Sequence, residues 1–261
     1  MNRIFLLADL HGSYKPIRDL NVRLIKKLDE TDTIIILGDA GLNFFLNERD
    51  DKLKQQLGKY KCNYFIIRGN HEERPSNLLI KDKDANWHIG EQWENLIFYE
   101  EKYPYIKYAM DFPTVYYINN YKTLVIPGAY SVDKEHRLKM GWSWFEDEQL
   151  TEKEMKHGRE IVEHHNFSFD LVLSHTCPII YEPTDLFLSF IDQSKVDKTM
   201  ERYLGELEHA LNYRLWCWGH CHKYRVYPLN EGRQPLMLYN DAAIELNEWM
   251  SALPGQIGKT Y

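Results

Sequence analysis

Cysteine is scarce in this chain. Four residues, Cys62, Cys177, Cys217 and Cys221, are scattered over 261 positions, without the spacing that a disulfide scaffold requires. That excludes a small cross-linked module and fits a reducing compartment, so a cytoplasmic location is expected. Long apolar runs are also missing. No stretch is long enough to span a bilayer, and a membrane is not an expected partner. The start, Met1-Asn2-Arg3-Ile4-Phe5-Leu6-Leu7-Ala8-Asp9, has too short an apolar run for a secretory signal and reads as a strand. Basic residues are in deficit, with 32 Lys and Arg against 39 Asp and Glu and a formal net charge of −7. Such a chain has no broad attraction for nucleic acid or anionic membranes, so stable nucleic-acid binding is not expected. A local cationic pocket remains allowed, and bound divalent metals would supply one. No repeat, low-complexity tract or linker breaks the sequence, and one domain over 1–261 is expected.

Aromatics, by contrast, are plentiful, at 18 Tyr, 11 Phe and 7 Trp, which favours a well-packed core. To about residue 70, strand and helix patterns alternate, implying a parallel sheet with crossover helices. Ile17, Leu20, Leu24 and Leu28 recur at helical spacing and predict a helix through Asp29. A second helix is expected around Leu53, Leu57 and Tyr60. Phe112 to Ile118 and Thr123 to Ile126 flank Asn119-Asn120-Tyr121-Lys122 and read as a hairpin. A helix is expected from about Glu146 to His165, with Thr151 and Glu154 spaced as a capping box that would mark a later start. Val196, Met200, Tyr203, Leu204, Leu207 and Leu211 form the apolar stripe of another. Tyr224 to Leu229 and Leu236 to Tyr239 read as a second hairpin around Asn230-Glu231-Gly232.

Five apolar stretches end in residues able to bind a metal. Ile4 to Ala8 runs into Asp9-Leu10-His11, Thr33 to Leu37 into Gly38-Asp39, and Tyr64 to Ile67 into Arg68-Gly69-Asn70-His71. Leu171 to Leu173 runs into Ser174-His175, and Leu215 to Trp218 into Gly219-His220-Cys221-His222. In parallel sheets, functional groups collect beyond the carboxyl ends of strands, so five such endings suggest one metal site at one edge of one sheet. Asp9, Asp39, Asn70, His11, His175, His220 and His222 mix oxygen and imidazole donors, a set suited to Mn foremost, or to Fe or Zn. Asp39 stands alone after its strand, where its two oxygens could bridge two ions. Asn70 would give a neutral carbonyl oxygen. Two metals would hold a bridging hydroxide and clamp both oxygens of an in-line phosphoryl displacement. His71, next to a proposed ligand, is placed to protonate the leaving oxygen.

These residues resemble the signature of the calcineurin-like metallophosphoesterase superfamily: Asp-x-His, Gly-Asp, Gly-Asn-His-Asp/Glu, a later His, and Gly-His-x-His. All five blocks occur in order from Asp9 to His222. The resemblance implies an α/β fold, a four-layer α/β/β/α sandwich with two central mixed sheets. It implies that Asp9, His11, Asp39 and His222 hold one metal and that Asp39, Asn70, His175 and His220 hold the other, with His71 as general acid. Phosphoprotein phosphatases of this superfamily carry Asp-Arg-Gly after the Gly-Asp, whereas here Asp39-Ala40-Gly41-Leu42-Asn43-Phe44 lacks that Asp and Arg. The segment Gly128-Ala129-Tyr130-Ser131-Val132-Asp133-Lys134-Glu135-His136-Arg137 with Trp142-Ser143-Trp144 looks instead like bacterial and phage metallophosphoesterases. Arg137 is expected to replace the missing Arg as a phosphate clamp, since guanidinium pairs bidentately with phosphate oxygens.

Plainer readings exist for several residues. Cys217, His220, Cys221 and His222 lack the second spaced pair of a zinc knuckle, and Cys177 has no base partner for a thiol mechanism. Trp142, Trp144, Tyr130 and Tyr181 are expected to pack in a core or rim rather than to stack a nucleobase. The expected function is a dinuclear metal-dependent phosphoesterase acting on a phosphomonoester or phosphodiester, small molecule or nucleotide. The alternatives are a phosphoprotein phosphatase and a metal-binding scaffold without activity.

Overall fold

The computed structural model describes residues 2–187, 191–240 and 242–253. In chain order the elements begin β1 (Ile4–Leu7), α1 (Lys15–Arg23), β2 (Thr33–Leu37), α2 (Glu48–Gly58), β3 (Asn63–Ile67) and α3 (Pro75–Lys81). There follow β4 (Trp87–Gln92), β5 (Asn95–Glu100), β6 (Ile106–Tyr108), β7 (Thr114–Ile118), β8 (Tyr121–Ile126), α4 (Lys134–Met140) and α5 (Glu152–His164). The chain continues through β9 (Leu171–Ser174), α6 (Thr199–Ala210), β10 (Leu215–Trp218), β11 (Arg225–Val226), β12 (Gln234–Met237), β13 (Ile244–Glu245) and α7 (Leu246–Ala252). The strands form two sheets, ordered β13-β1-β2-β3-β6-β5-β4 and β11-β12-β10-β9-β8-β7. Each is mixed, with parallel central pairs and antiparallel flanks.

The apolar runs follow from burial on both faces. Along β2, Ile35 and Leu37 point into the core shared by the two sheets. Ile34 and Ile36 point the other way, against Ile17 and Leu20 of α1 and Leu53 and Leu57 of α2. Likewise Leu215 and Cys217 of β10 face the other sheet, while Trp216 and Trp218 pack on Met155 and Val162 of α5 and Met200, Leu204 and Leu207 of α6. The layers are therefore helix, sheet, sheet, helix, as the resemblance implied.

The expectation of a single sheet behind all five endings is corrected here. β1, β2 and β3 belong to one sheet, β9 and β10 to the other, and apolar periodicity alone does not say which sheet a strand joins. The first helix is also shorter than its spacing predicts. It ends at Arg23 because Leu24 is extended, Lys27 Nζ bonds the Val22 carbonyl at 2.9 Å and the Leu24 carbonyl at 2.9 Å, and Asn21 Oδ1 accepts from Leu28 N at 2.9 Å. Leu28 still reaches the core, from an irregular segment. α5 starts at the capping box and not at Glu146. α6 begins after Val196, with Leu211 as its C-cap.

The β7–β8 turn is Asn119-Asn120 with φ of 48° and 68°, the left-handed pair that a two-residue hairpin needs and asparagine tolerates. The β4–β5 hairpin escapes a sequence reading. Its turn is Trp93-Glu94, at φ 52° and 66°, and its half-exposed β4 carries Gly90 and Glu91.

At the start of α5, Thr151 Oγ1 accepts from Glu154 N at 3.3 Å, and the Glu154 carboxylate accepts from Thr151 N at 2.7 Å. Thr151→Ala removes half of this reciprocal cap and should cost about 1 kcal/mol of unfolding free energy. Urea denaturation measures it, and an unchanged midpoint would contradict the cap's contribution.

Candidate metal centre

Beyond the strands the hydrogen-bond ladders continue into the loops. Asp9 N donates to Gly38 O at 3.2 Å, His11 N to Asp39 O at 2.8 Å and Gly12 N to Ala40 O at 3.0 Å. In the other sheet Gly219 N donates to His175 O at 2.9 Å. This zippering fixes the loops after β1 and β2 side by side, and those after β9 and β10 likewise. Asp9, His11, Asp39, His220 and His222 all take left-handed φ, between 44° and 67°. Asp and His tolerate that region better than most residues, and its strain gathers at functional sites. Two glycines allow the approach. A Cβ at Gly38 would lie 2.1 Å from His175 Nδ1, and one at Gly69 would lie 2.1 Å from Asp39 Oδ1.

The seven candidate ligands converge. Asp39 Oδ1 lies 3.5 Å from His175 Nε2 and accepts from His71 N at 2.9 Å. Its Oδ2 lies 3.9 Å from His11 Nε2 and 3.8 Å from His71 Nε2. His175 Nε2 is 2.9 Å from Asn70 Oδ1. His11 Nε2 and His222 Nε2 are 2.8 Å apart. The His175 and His220 rings stand 5.0 Å apart, and His220 N donates to Asp9 Oδ1 at 3.0 Å. Two sets of donor atoms lie within 4.8 Å of one another: Asp9, His11 and His222, and Asp9, Asp39 and His175.

Burial and close charges shift the titration of these groups. Burial drives the Asp9 carboxyl up to about 8, with the charge of Asp39 adding to the push against His175. Asp9 Oδ2 is buried without a hydrogen-bond partner among the described residues. For Asp39, burial acts upward, but the His175 charge and hydrogen bond, helped by His71 and His11, hold it well below the usual carboxylate range. Burial pulls against protonation of His175, yet Asp39 and Asp9 raise it to about 9. Its Nδ1 donates to the Leu37 carbonyl at 2.8 Å and its Nε2 faces an oxygen, so both nitrogens carry protons. A cation beside Nε2 would replace one of them. Loss of solvation, followed by His175, holds His220 well below its ordinary value, which keeps its lone pair free. His11 and His222, open to solvent on one side, are lowered by desolvation of their inner faces. The orphaned Asp9 oxygen and this set of carboxylate, amide and imidazole donors fit hard to borderline divalent ions.

His71 and Arg137 meet beside this cluster. Arg137 Nη2 is 3.2 Å from His71 Nε2, and Arg137 Nε lies 2.8 Å from both oxygens of Asp133. No described residue bonds His71 Nδ1. Its ring instead meets Phe44 edge-on, with centroids 6.3 Å apart. Both residues line a cleft of about 570 Å³ together with His11, Phe44, Phe45, Arg49 and Trp142.

Sequence reasoning passed over the supports. Glu72 accepts from Gly41 N at 2.8 Å and Gly69 N at 3.2 Å, tying the loop after β3 to that after β2. Burial raises its carboxyl to about 7. Ser131 and Glu148, behind Asn70, were not singled out either. Glu72 has a signal in its place after Asn70-His71, and Ser131 lies within the segment from Gly128 to Arg137 without standing out in it, whereas Glu148 has no signal. The aromatics divide: Tyr181 stacks on Trp218 in the core, at 5.6 Å, whereas Trp142 is 53% exposed at the cleft. Cys217 packs inside β10.

Two mixed sheets between helices, with buried carboxylates and imidazoles gathered at their strand ends, describe a metallohydrolase. The model of the calcineurin-like phosphoesterase family matches residues 2–224, and the chain belongs to that family. It is a metal-dependent phosphoesterase by membership, and the family implies a dinuclear centre. Among solved structures, a dimetal phosphatase from Danio rerio is similar at TM-score 0.50 and 12% identity, over 91% of this chain and 87% of that one. The protein TT1561 of Thermus thermophilus is similar at TM-score 0.52 and 10% identity, over 95% of each chain. At such identities the likeness is one of fold. A search of curated proteins finds no match. No helix among the described residues is long and apolar enough to cross a membrane.

The shifts predict how the metal-free chain responds to pH. Asp9 and His175 are both raised, so each adds stability at low pH that is lost as pH climbs through about 8 and about 9. From pH 6.5 to 9 the melting temperature of metal-free protein should fall, and the rise on adding Mn²⁺ should grow, since the ion binds where those protons leave. Differential scanning fluorimetry measures both. A metal-induced rise that shrinks with pH would contradict this reading of the cluster.

Proposed function

We propose that the chain hydrolyses a phosphomonoester or phosphodiester of a small organic alcohol or nucleotide, with His71 as general acid and Arg137 as phosphate clamp. The observation that carries this reading is the 3.2 Å approach of Arg137 Nη2 to His71 Nε2, beside Asp39 and on the wall of the cleft. Asp39 presents one oxygen toward His175 and the other toward His11, which supports a bridging role. On this reading Asp9, His11, Asp39 and His222 hold one ion, and Asp39, Asn70, His175 and His220 the other. Mn is the first choice of metal. When bound, the ions would supply an activated water and neutralise charge developing on the phosphoryl oxygens.

The protein's own groups do the rest. Asp133 holds the Arg137 guanidinium through Nε, leaving its Nη2 edge toward the cleft for phosphate oxygens. Desolvation lowers His71, and Arg137 adds to this against the pull of Asp39. A phosphate dianion between the two side chains would reverse that balance and favour the imidazolium, so His71 would gain its proton when a leaving oxygen is there to take it. A cleft of about 570 Å³ suits a small ligand. Phe44, Phe45 and Trp142 on its wall would lie against an organic group, and Arg49, stacked over Phe45 at 4.8 Å, adds a second positive charge.

Mn²⁺-loaded protein should hydrolyse p-nitrophenyl phosphate or its bis-ester, and the ratio of the two rates sorts monoesterase from diesterase. His71→Ala should lower turnover by about 10²–10⁴-fold with metal content intact. Equal loss of metal would mean that His71 is structural. Arg137→Ala should lower kcat/KM by about 10–100-fold, the worth of one or two charge-assisted hydrogen bonds. Wild-type kinetics in that variant would remove Arg137 from the site.

A further inference from the structure

We infer that Glu148, acting through Ser131, sets which end of the Asn70 side-chain amide faces the metal centre. The inference rests on the reading of Asn70 as a ligand, and it concerns what orients that ligand. An asparagine amide can turn over by half a rotation with almost no change of shape, exchanging an acceptor for a donor. Here the three side chains are each 2% exposed or less, so no bulk water corrects a wrong orientation.

The hydrogen-bond logic leaves one solution. A carboxylate only accepts. Glu148 Oε1 accepts from Ser131 N at 2.9 Å, and Oε2 accepts the Ser131 hydroxyl at 2.5 Å. The single hydroxyl proton is thereby committed, and Ser131 Oγ has only lone pairs left for Asn70, 2.9 Å away. The Asn70 NH2 must therefore face Ser131, and Oδ1 must face His175 Nε2 at 2.9 Å. Glu148 is itself fixed from behind. Its carbonyl accepts from Arg68 Nη1 at 2.8 Å, and a Cβ at Gly128 would lie 2.6 Å from that carbonyl oxygen. Ser131 and Glu148 are positioning residues for the neutral oxygen ligand.

Glu148→Gln tests this with almost no change of volume. The glutamine oxygen must still accept from Ser131 N, so its NH2 meets Ser131 Oγ. The hydroxyl proton is then released toward Asn70 and selects the inverted amide. Calorimetric titration of metal-free protein with Mn²⁺ should show one of two affinities weakened by about 10–100-fold, with the other unchanged. Ser131→Ala should weaken the same affinity, and Ser131→Thr, which keeps the hydroxyl, should restore it. In an Asn70→Asp background, where the two ligand oxygens are equivalent and the released Ser131 hydroxyl can donate to the outer one, Glu148→Gln should bring no further loss of affinity. Unchanged affinities in Glu148→Gln, or an equal penalty in the Asn70→Asp background, would overturn the inference. A second readout needs no metal. The Asn70 side-chain amide protons, assigned by their loss in Asn70→Asp, should move upfield in the ¹⁵N–¹H spectrum of Ser131→Ala, and unmoved signals would equally overturn it. If those signals move but wild-type protein takes up fewer than two Mn²⁺, the orienting role stands and the proposed function fails.

Discussion

Taking a carboxylate out of water costs several kcal/mol unless a cation or several donors meet it, and Asp9 and Asp39 are exposed by 0% and 1%. They share the imidazole of His175. Asp39 has donors enough to stay ionised, the His71 amide and the His175 ring among them. Among the described residues Asp9 has one, the His220 amide on Oδ1, and its Oδ2 faces nothing that donates. This asymmetry explains why the two buried acids move in opposite directions. A proton or a metal ion beside Asp9 would offset the cost of its burial. Burying these acids unsatisfied would be a poor use of core space in a structural protein.

The backbone around them carries a related tension. Left-handed φ costs a residue with a side chain about 1–2 kcal/mol, and five of the candidate ligands adopt it. What holds them there is the continuation of the parallel ladders past the strand ends. Asp9, His11 and Gly12 keep bonding across to the loop after β2 when the regular strands are over. Glu72 then ties that loop to the one after β3. The centre is therefore built by extending the sheets, and its geometry inherits their stiffness. Metal binding adds to the stability of this arrangement because the unfolded chain has no comparable site.

That origin decides what the sequence discloses. Strands buried on both faces read as unbroken apolar runs, and candidate ligands just beyond their ends are conspicuous by position. Asp9, His11, Asp39, Asn70, His175, His220 and His222 could all be picked out without coordinates. That the strands divide between two sheets could not be read from those runs, because Ile35 and Leu215 look alike whichever sheet they join. It was implied only by the family resemblance. The β4–β5 hairpin was silent because its outer strand is half exposed and its turn uses Trp93-Glu94 where Asn or Gly would have announced it. Ser131 and Glu148 were silent for another reason. Serine and glutamate are common, the two are far from Asn70 in sequence, and only the fold makes one committed proton matter.

The two parts of the candidate site rest on the fold in different ways. The residues read as ligands stand at strand ends packed between the sheets and their helices. Arg137 stands on α4, a helix with no buried residue, and reaches the cleft through its pair with Asp133 and its place over the Phe44 ring at 5.7 Å. Phe44, Phe45 and Arg49 come from the segment after Asp39 and the first turn of α2, again with their side chains wholly or partly outside the core. Changing a ligand disturbs buried charge and strained backbone together, so those positions admit few alternatives. Ala40 and Leu42, directly after Asp39, are themselves core residues, but changing the α4 segment or the stretch from Phe44 to Arg49 costs the core little and alters what the cleft touches. They adjoin the segment from Ala40 to Phe44, in which this chain departs from the phosphoprotein phosphatases. A shared hydrolytic centre can on these physical grounds serve different esters, because the groups that meet the rest of the substrate are attached where the fold has least to lose.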